Sequence, residues 1–396
     1  MSRARLGDRS LFPRLQPRSY LNHAAISPPS EPVRDAVLAC LDNYASRGLA
    51  AFVDEMQRRD ALRSALARWI GAGEGDVALV ANTSTGVVDV ALCLPWQPGD
   101  RVLLFRGEFP TNVTPWQQAA RRHGLEIVWQ DADAFRTAPE AALAALRQEL
   151  ARGVRLCAVS AVQFQTGLRM PLAAIGAACA AHGCELFVDA IQALGVVPLD
   201  VRAMGIHYLA AGGHKWLMGP EGLGVLYVEP AAAARLRPEV AAWMSHDHGF
   251  DFLSKGAGLL RYDRPIHKTA RMVEGGAPNV LGTASLQASL GLLDELGQAA
   301  IYDHVQAFHD AIEPGLLGRG FISMRAADPD ARSGILSLVP PTADAPLWSA
   351  ALARQGISVA SPDGLLRLAP HWPNGLDEVE AVLAAVDAVL TDGGQL

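Results

Sequence analysis

The sequence between residues 31 and 228 alternates helical patterns with short apolar runs, and this alternation limits the possible folds more than any other feature. Helical periodicity covers residues 31–47, 52–70, 85–94, 111–123, 138–151 and 171–182. The strand-like runs are Val77–Ala81, Arg101–Phe105, Leu125–Trp129, Leu156–Ser160 and Leu186–Asp189. Because these runs are apolar at nearly every residue, both faces of the sheet must be covered, which predicts an α/β domain on a mostly parallel sheet.

The second half of the chain predicts a smaller additional domain. At 396 residues, half of them hydrophobic, the chain exceeds the usual size of one domain. After Gly224–Val228 the pattern loosens into a loop over roughly 245–280, and residues 335–392 then form a compact α+β pattern. The predicted divisions are an N-terminal arm over 1–20, a large domain over 21–280 and a small C-terminal domain over 281–396.

Charge and cysteine content limit the possible partners. The net charge of −7 and the lack of a basic tract on a helix argue against a nucleic-acid partner and favour a small-molecule substrate. The five cysteines form no Cys-x-x-Cys pair, which fits free thiols in a reducing cytoplasm, and no metal site is predicted. No long apolar stretch follows the arginine-rich start, so neither a secretory signal nor a membrane anchor is expected, and Asp8 and the prolines disfavour a transit peptide.

Lys215 is one of three lysines and stands in the glycine-rich segment Gly212–Trp216. The scarcity of lysine says little by itself, because 31 of the 34 basic residues are arginine. The context says more, since the strand-like run Glu185–Asp189 ends in an acid, and a second such run, Tyr208–Ala211, precedes the lysine. Two strand ends would therefore place Asp189 and Lys215 on the same rim of the sheet.

This acid and this amine fit pyridoxal phosphate chemistry. A lysine that forms a Schiff base needs a lowered pKa and a mobile stem, which desolvation or a neighbouring cation provides. A facing carboxylate keeps a pyridinium nitrogen protonated, and the cofactor then acts as the electron sink. Taken alone, Asp189 and Lys215 are more often a capping acid and a surface lysine.

The stretches Phe187–Gln192 and His214–Pro220 resemble the class V aminotransferase family of fold-type I pyridoxal phosphate enzymes. That family includes cysteine desulfurases, isopenicillin N epimerase-like enzymes and kynureninase. The resemblance extends from Tyr20–His23 to Leu366–Asn374. It implies an amino-acid or amine substrate joined to the cofactor through Lys215, and a homodimer with the site near the interface.

The turn Asn82–Gly86 joins a strand to a helix, where hydroxyls and N–H groups can bind a phosphate or simply cap the helix. The resemblance implies that it is the cofactor-phosphate loop. The implied phosphate ligands are Ser84, Thr85 and Gly86, with Gln192 and His214 as nearby supports. Where the family usually has a threonine reaching the partner's cofactor phosphate, this chain has Ala277, which weakens that contact and leaves the amides of Gly276 and Ala277.

The resemblance also assigns residues to the cofactor ring and the substrate. It places Phe109, after Glu108, over the pyridine ring, where cysteine desulfurases usually have a histidine, and gives Gln163 the phenolic oxygen. Arg367 corresponds to the arginine for the substrate carboxylate, a role that suits a bidentate guanidinium. Asn22, His23 and Trp243 are expected to line the entrance.

Three reactions fit these residues: transamination, which we favour as the general activity of the class, β-elimination such as carbon–sulfur cleavage, and amino-acid epimerisation. No cysteine follows Cys184, so the sequence predicts that this is not a cysteine desulfurase. Kynureninase is also disfavoured. A non-catalytic cofactor-binding protein is disfavoured because no helix-turn-helix signal accompanies the site, and a Rossmann dehydrogenase because no Gly-x-Gly-x-x-Gly follows a first strand.

Overall fold

The computed structural model describes residues 3–342 and 344–391. Its helices are α1 Glu31–Arg47, α2 Phe52–Trp69, α3 Thr83–Cys93, α4 Thr114–His123, α5 Ala134–Thr137, α6 Pro139–Leu150, α7 Leu172–Ala181, α8 Pro230–Ala233, α9 Asp251–Ser254, α10 Val280–Leu296, α11 Gln298–Leu317, α12 Ala345–Arg354 and α13 Glu378–Thr391. Its strands are β1 Ser19–Tyr20, β2 Val77–Val80, β3 Arg101–Arg106, β4 Glu126–Asp131, β5 Leu156–Ser160, β6 Glu185–Asp189, β7 Tyr208–Gly212, β8 Gly224–Val228, β9 Ile322–Ser323, β10 Leu336–Val339, β11 Ile357–Ser358 and β12 Leu366–Leu368.

A seven-stranded sheet in the order β2-β8-β7-β6-β5-β3-β4 forms the centre of the large domain. Strands β7, β6, β5, β3 and β4 run parallel to one another, whereas β8 is antiparallel to both β2 and β7. Every residue of β5, β6, β7 and β8 is buried. The prediction of an α/β fold on a mostly parallel sheet is therefore confirmed.

Helices cover both faces of this sheet, because its strands are apolar on both sides. Along β6, Leu186 and Val188 face one hydrophobic cluster, and Phe187 faces the other. Fully burying side chains of this size stabilises the fold by roughly 1.5–3 kcal/mol each. The alternation fixes the register of β6 and so determines where its last residue, Asp189, lies.

A second layer forms at the C-terminal end of the chain. Strand β10 pairs antiparallel with β9 and β12, and α12, α13 and the end of α11 pack on this small sheet. Helix α10 and the start of α11, including Ile301 and Val305, instead belong to the large core. The division at residue 280 stays a prediction, and these contacts favour a boundary within α11.

The segment before α1 connects the two layers. Strand β1 pairs parallel with β11, and Asn22 forms an isolated parallel bridge with Ala369, just beyond β12. Residues 243–279, by contrast, contain the one-turn helix α9, short 3₁₀ turns and an isolated antiparallel bridge between His246 and Ile266. Among the described helices, none combines the length and apolar character that crossing a membrane requires.

Candidate active site

Asp189 and Lys215 lie at neighbouring strand ends, as their spacing predicted. Strands β6 and β7 are adjacent and parallel, with Asp189 paired in register to Ala210. Strand β7 ends at Gly212, and the chain then turns, with Met218 N–H donating to the carbonyl oxygen of Lys215 at 2.9 Å. Gly195 packs directly against this turn. Only glycine permits this, because a Cβ on Gly195 would lie 2.3 Å from the carbonyl carbon of Trp216.

The amine of Lys215 has an environment that favours its neutral form. Burial, together with the positive charge of Arg367, lowers the pKa of Lys215 to about 8, while Asp189 opposes the shift. The Nζ atom lies 5.8 Å from the centroid of the Phe109 ring. A lysine with a lowered pKa holds a substantial neutral fraction near physiological pH and is therefore a nucleophile.

Asp189 is almost completely buried and has a shifted pKa of its own. Desolvation raises the pKa of Asp189 to about 7; an N–H from Ile191 at 3.0 Å and the charge of Lys215 act against the rise, and Glu108 adds to it. A carboxyl group whose pKa lies near 7 becomes fully ionised at neutral pH when a cation is placed beside it, because the cation lowers that pKa. Asp189 is thus suited to pair with a protonated ring nitrogen.

Glu108 forms the centre of a buried cluster that the sequence reasoning missed. Its carboxylate accepts hydrogen bonds from Ser160 N–H at 2.7 Å, Gln163 Nε2 at 3.0 Å and Asn112 Nδ2 at 3.2 Å, and from the Ser160 hydroxyl. Burial raises the pKa of Glu108, and these donors oppose the rise. The cluster fixes the strand end that carries Gln163. The available signal was an acid directly after β3, which the sequence reasoning used only to locate Phe109.

Phe109 and Phe164 form one wall next to the lysine. Their rings meet edge to face with centroids 5.3 Å apart, and Phe109 is 45% exposed. An exposed aromatic face beside a buried amine can stack on a planar ring. The cofactor-stacking role of Phe109 stays a prediction that this placement supports.

The first turn of α3 brings Ser84, Thr85 and Gly86 together at a helix N-terminus. Asn82 caps the helix by accepting the Thr85 N–H at 2.9 Å, and Ser84 Oγ lies 2.8 Å from Thr111 Oγ1. The N–H groups of a first turn have no acceptors within the helix, so such a terminus attracts anions. A Cβ on Gly86 would lie 3.0 Å from the Cβ of Ala210, so glycine lets α3 approach β7 closely.

Thr85 and Gly276 line the same polar hollow. Its volume is about 220 Å³, and Arg59, Asp89 and Ala277 also border it. Gly276 is exposed, and a Cβ there would meet no atom within 4 Å. The hollow places Thr85 near Gly276 of the same chain, although the resemblance assigns Gly276 to the cofactor phosphate of the partner subunit. Both binding roles stay predictions.

His214 belongs to the lysine turn, and Gln192 contacts that turn through Trp216. The buried Nδ1 of His214 has no hydrogen-bond partner within the described part of the chain, and burial together with Lys215 lowers its pKa. Gln192 accepts from the indole N–H of Trp216 at 2.9 Å and donates to the carbonyl oxygen of Ala24 at 3.0 Å. Gln192 therefore holds the turn in place, whereas the Nδ1 atom of His214 is available to bind a ligand. The roles of both residues as phosphate supports stay predictions.

Arg367 lies on β12 and is 5% exposed. One of its terminal nitrogens donates to the carbonyl oxygen of Phe164 at 2.8 Å, and its buried Nε has no partner among the described residues. Burial lowers the pKa of Arg367 to about 10, which reflects the cost of desolvating a cation without a paired anion. A carboxylate bound here would supply that anion.

The residues expected at the entrance occupy different environments. The side-chain oxygen of Asn22 is buried without a partner in the described residues, and Trp243 is 40% exposed. The ring of His23 is buried, with Nδ1 lying 2.7 Å from Ser27 Oγ. A substrate contact by His23 stays a prediction, but this ring faces a serine behind the lysine turn.

These groups fit pyridoxal phosphate on structural grounds. A buried amine with a lowered pKa, an acid with a raised pKa and an exposed aromatic face lie around one rim of the sheet. The unpartnered buried nitrogens of His214 and Arg367 add two sites that an anionic ligand would satisfy.

The chain matches the family model for class V aminotransferases over residues 19–366. An uncharacterized aminotransferase of Bacillus subtilis is 28% identical over 385 residues, covering 96% of each chain. A cysteine desulfurase of Serratia proteamaculans is 30% identical, covering 77% of this chain and 76% of that one. Among solved structures, a variant of C-DES with glycine covalently linked to its PLP cofactor superimposes with a TM-score of 0.86 at 24% identity, covering 95% of this chain and 98% of that chain.

The prediction that this chain is not a cysteine desulfurase is wrong as an exclusion. It relied on the absence of any cysteine after Cys184. The likeness to the Serratia enzyme contradicts it. The error was to let one residue on one loop decide the reaction, although the family relationship extends over most of the chain.

Proposed function

The chain belongs to the class V aminotransferase family of pyridoxal phosphate enzymes, and from that membership we propose that it transfers the amino group of an α-amino acid. The observation that carries the proposal is the position of the Lys215 amine, buried at a strand end between the charges of Asp189 and Arg367. One cation and one acid beside an amine with a lowered pKa suit an anionic cofactor and a carboxylate substrate.

Each residue of the site has a separate role in the proposed reaction. When bound, pyridoxal phosphate supplies the carbonyl that takes up an amine and the ring that accepts an electron pair. Arg367 binds the substrate carboxylate through paired N–H groups and so orients the α-hydrogen. Lys215 receives and returns the α-proton at Nζ, for which a pKa of about 8 is well matched. Asp189 holds a proton on the ring nitrogen.

Other groups position the cofactor. Ser84, Thr85 and Gly86 would hold its phosphate at the N-terminus of α3, and Gly276 would reach the cofactor phosphate of the partner subunit. The ring of Phe109 covers the cofactor plane.

We also propose that the active form is a homodimer in the cytoplasm. Large apolar side chains in the segment 243–273 are exposed, among them Leu253 at 61% and Leu260 at 59%, and a second copy would cover them. The five cysteines are free and buried, which suits a reducing compartment.

Carbon–sulfur cleavage is the second candidate, and the likeness to a cysteine desulfurase favours it. Transfer and cleavage share the removal of the α-proton by Lys215 and diverge afterwards. The protein loaded with pyridoxal phosphate and given a panel of amino acids distinguishes them. Keto acid together with pyridoxamine phosphate supports transfer. Sulfide, persulfide or ammonia with unchanged pyridoxal phosphate supports cleavage, and no product from any amino acid contradicts both.

A further inference from the structure

Three consecutive carbonyl groups around Lys215 are bound by residues from the two ends of the chain. The N–H of Ser27 donates to the oxygen of His214 at 2.8 Å, and the Ser27 hydroxyl donates to the oxygen of Lys215 at 2.6 Å. The ring of His371 lies with Nε2 2.8 Å from the oxygen of Trp216. These residues form a turn rather than a helix or strand, so outside donors define the position of its backbone.

The donors in this network can be assigned by elimination. The single proton of the Ser27 hydroxyl points to Lys215, so the Nδ1–H of His23 must donate to Ser27 Oγ, 2.7 Å away. Nδ1 of His371 accepts from Trp372 N–H at 2.7 Å, which leaves the proton on Nε2 for Trp216. Burial lowers the pKa of His23 and that of His371, the latter to about 4, so both rings are neutral at physiological pH.

The same N-terminal segment contacts the strand that carries Arg367. The N–H of His23 donates to the oxygen of Ala369 at 3.1 Å, and the N–H of Ala369 donates to the oxygen of Leu21 at 2.8 Å. Ala369 follows Arg367 by two residues. The rings of His23 and His371 also meet edge to face, with centroids 5.4 Å apart. Residues 21–27 therefore join the lysine turn to the arginine strand.

We infer that His23 and Ser27 are positioning residues that set the Lys215 amine relative to the Arg367 guanidinium. The inference rests on the proposed function, in which Arg367 binds the carboxylate of the substrate whose α-proton Lys215 removes. Removal of the α-proton requires the Lys215 amine to lie within hydrogen-bond reach of the substrate's α-carbon. The role differs from the substrate contact predicted for His23, because the His23 ring is 1% exposed and faces Ser27.

Substitution of Ser27 by alanine tests this role. It removes the hydroxyl from the Lys215 carbonyl and leaves the Met218 N–H as the remaining donor. We expect kcat to fall roughly 10- to 100-fold, with a much smaller change in KM, because misplacement of a catalytic group slows the chemical step. Ser27→Thr keeps the hydroxyl and is expected to retain most of the activity.

A second measurement does not depend on turnover. The chain has three lysines, so reductive ¹³C-methylation of the apoprotein gives few lysine NMR signals, and Lys215→Met identifies that of Lys215. In Ser27→Ala the loosened turn admits water, so the pKa of Lys215 should rise from about 8 toward its ordinary value.

Ser289→Ala is the matched control. Its equally buried hydroxyl donates at 2.7 Å to the oxygen of Leu217, two residues beyond the lysine. We expect it to lower the thermal midpoint as Ser27→Ala does, while kcat and the lysine pKa stay at their wild-type values. Wild-type kcat and lysine pKa in Ser27→Ala, or equal changes in Ser289→Ala, overturn the inference.

A second variant and a measurement on the apoprotein cover the two ways in which the Ser27→Ala experiment could fail. If Ser27→Ala does not fold, Ser27→Cys fills the site with a slightly larger side chain and weakens the hydrogen bond, and the same two shifts are expected of it. If the wild-type protein neither loads pyridoxal phosphate nor turns over any amino acid, the proposed function fails, while the lysine pKa in the apoprotein still tests the positioning role.

Discussion

The turn that carries Lys215 and the segment 243–279 differ in how they are held, although the proposed reaction involves both. The turn is bound by residues from both ends of the chain, and the indole of Trp216 behind it is fully buried. The segment has one-turn helices and exposes Leu253 at 61% and Tyr262 at 87%. The position of the turn is therefore fixed by contacts within the chain, whereas the segment 243–279 exposes apolar surface that a partner would cover.

The aromatic residues of the second region support this contrast. The ring of Trp243 meets those of Phe250 and Phe252 edge to face, with centroid distances of 5.0 Å and 6.2 Å. Trp243 itself is nevertheless 40% exposed. A cluster of rings that is half open to solvent is typical of an interaction site rather than of a core. Substitutions at the turn should therefore have large effects on catalysis, and substitutions in the segment should have small effects on stability.

Lys215→Ala should have the largest effect. It removes both the covalent anchor of the cofactor and the proposed base, so the turnover number should fall by about 10³-fold or more. Steady-state kinetics with the best amino-acid substrate measures it. Lys255→Ala is the matched control, because Lys255 is exposed and paired with Asp251 in the second region. Equal losses in the two variants would show that Lys215 has no special role.

Arg367→Lys should have the next largest effect. Lysine keeps the charge but loses the paired N–H groups, so kcat/KM should fall by about 100-fold, mainly through KM. Arg261→Lys, which alters an exposed ion pair with Asp263, should leave kcat/KM unchanged. A wild-type kcat/KM in Arg367→Lys would contradict carboxylate binding by this residue.

Asp189→Asn should change how stability depends on pH. The folded-state pKa of Asp189 is raised to about 7 from 3.8, so the folded apoprotein binds more protons than the unfolded chain between these values. The free energy of unfolding of the apoprotein therefore falls as pH rises through this window, by an amount on the order of 2–4 kcal/mol. Urea unfolding at pH 5 and pH 8 should show this loss in the wild type and not in Asp189→Asn.

The exposed Asp263 provides the comparison for that experiment. Asp263→Asn should keep the wild-type pH dependence, because Arg261 lowers the pKa of Asp263 at a site open to solvent. The assignment fails if Asp189→Asn loses as much stability between pH 5 and pH 8 as the wild type does.

Leu253→Ser should have the smallest effect on folding. The side chain is 61% exposed, so the free energy of unfolding should change by no more than about 0.5 kcal/mol, measured at a concentration where the chain is monomeric. Sedimentation velocity should nevertheless show weaker self-association. Leu209→Ser, inside β7, should by contrast destabilise the fold by several kcal/mol. Unchanged association in Leu253→Ser would remove this surface from the proposed dimer contact.

Sequence patterns predicted the sheet and the strand ends well, because those features are local. The run Glu185–Asp189 is strand-like in itself, and the position of Lys215 after the next strand follows from the parallel order. The binding of Lys215 by Ser27 joins residues 188 positions apart, and no local pattern indicates it. The buried role of Glu108 depends on Ser160, 52 positions away. The exclusion drawn from the missing cysteine failed because it concerned one residue rather than the shared site.

In the proposed function, Lys215 carries the cofactor. Borohydride fixes a carbonyl cofactor covalently to the lysine that holds it, and peptide mass spectrometry then locates the label. The protein loaded with pyridoxal phosphate, reduced and digested should carry a pyridoxyl group on the peptide containing Lys215 and not on those containing Lys255 or Lys268. A label on either of the other lysines, or no label on any of the three, would contradict the assignment.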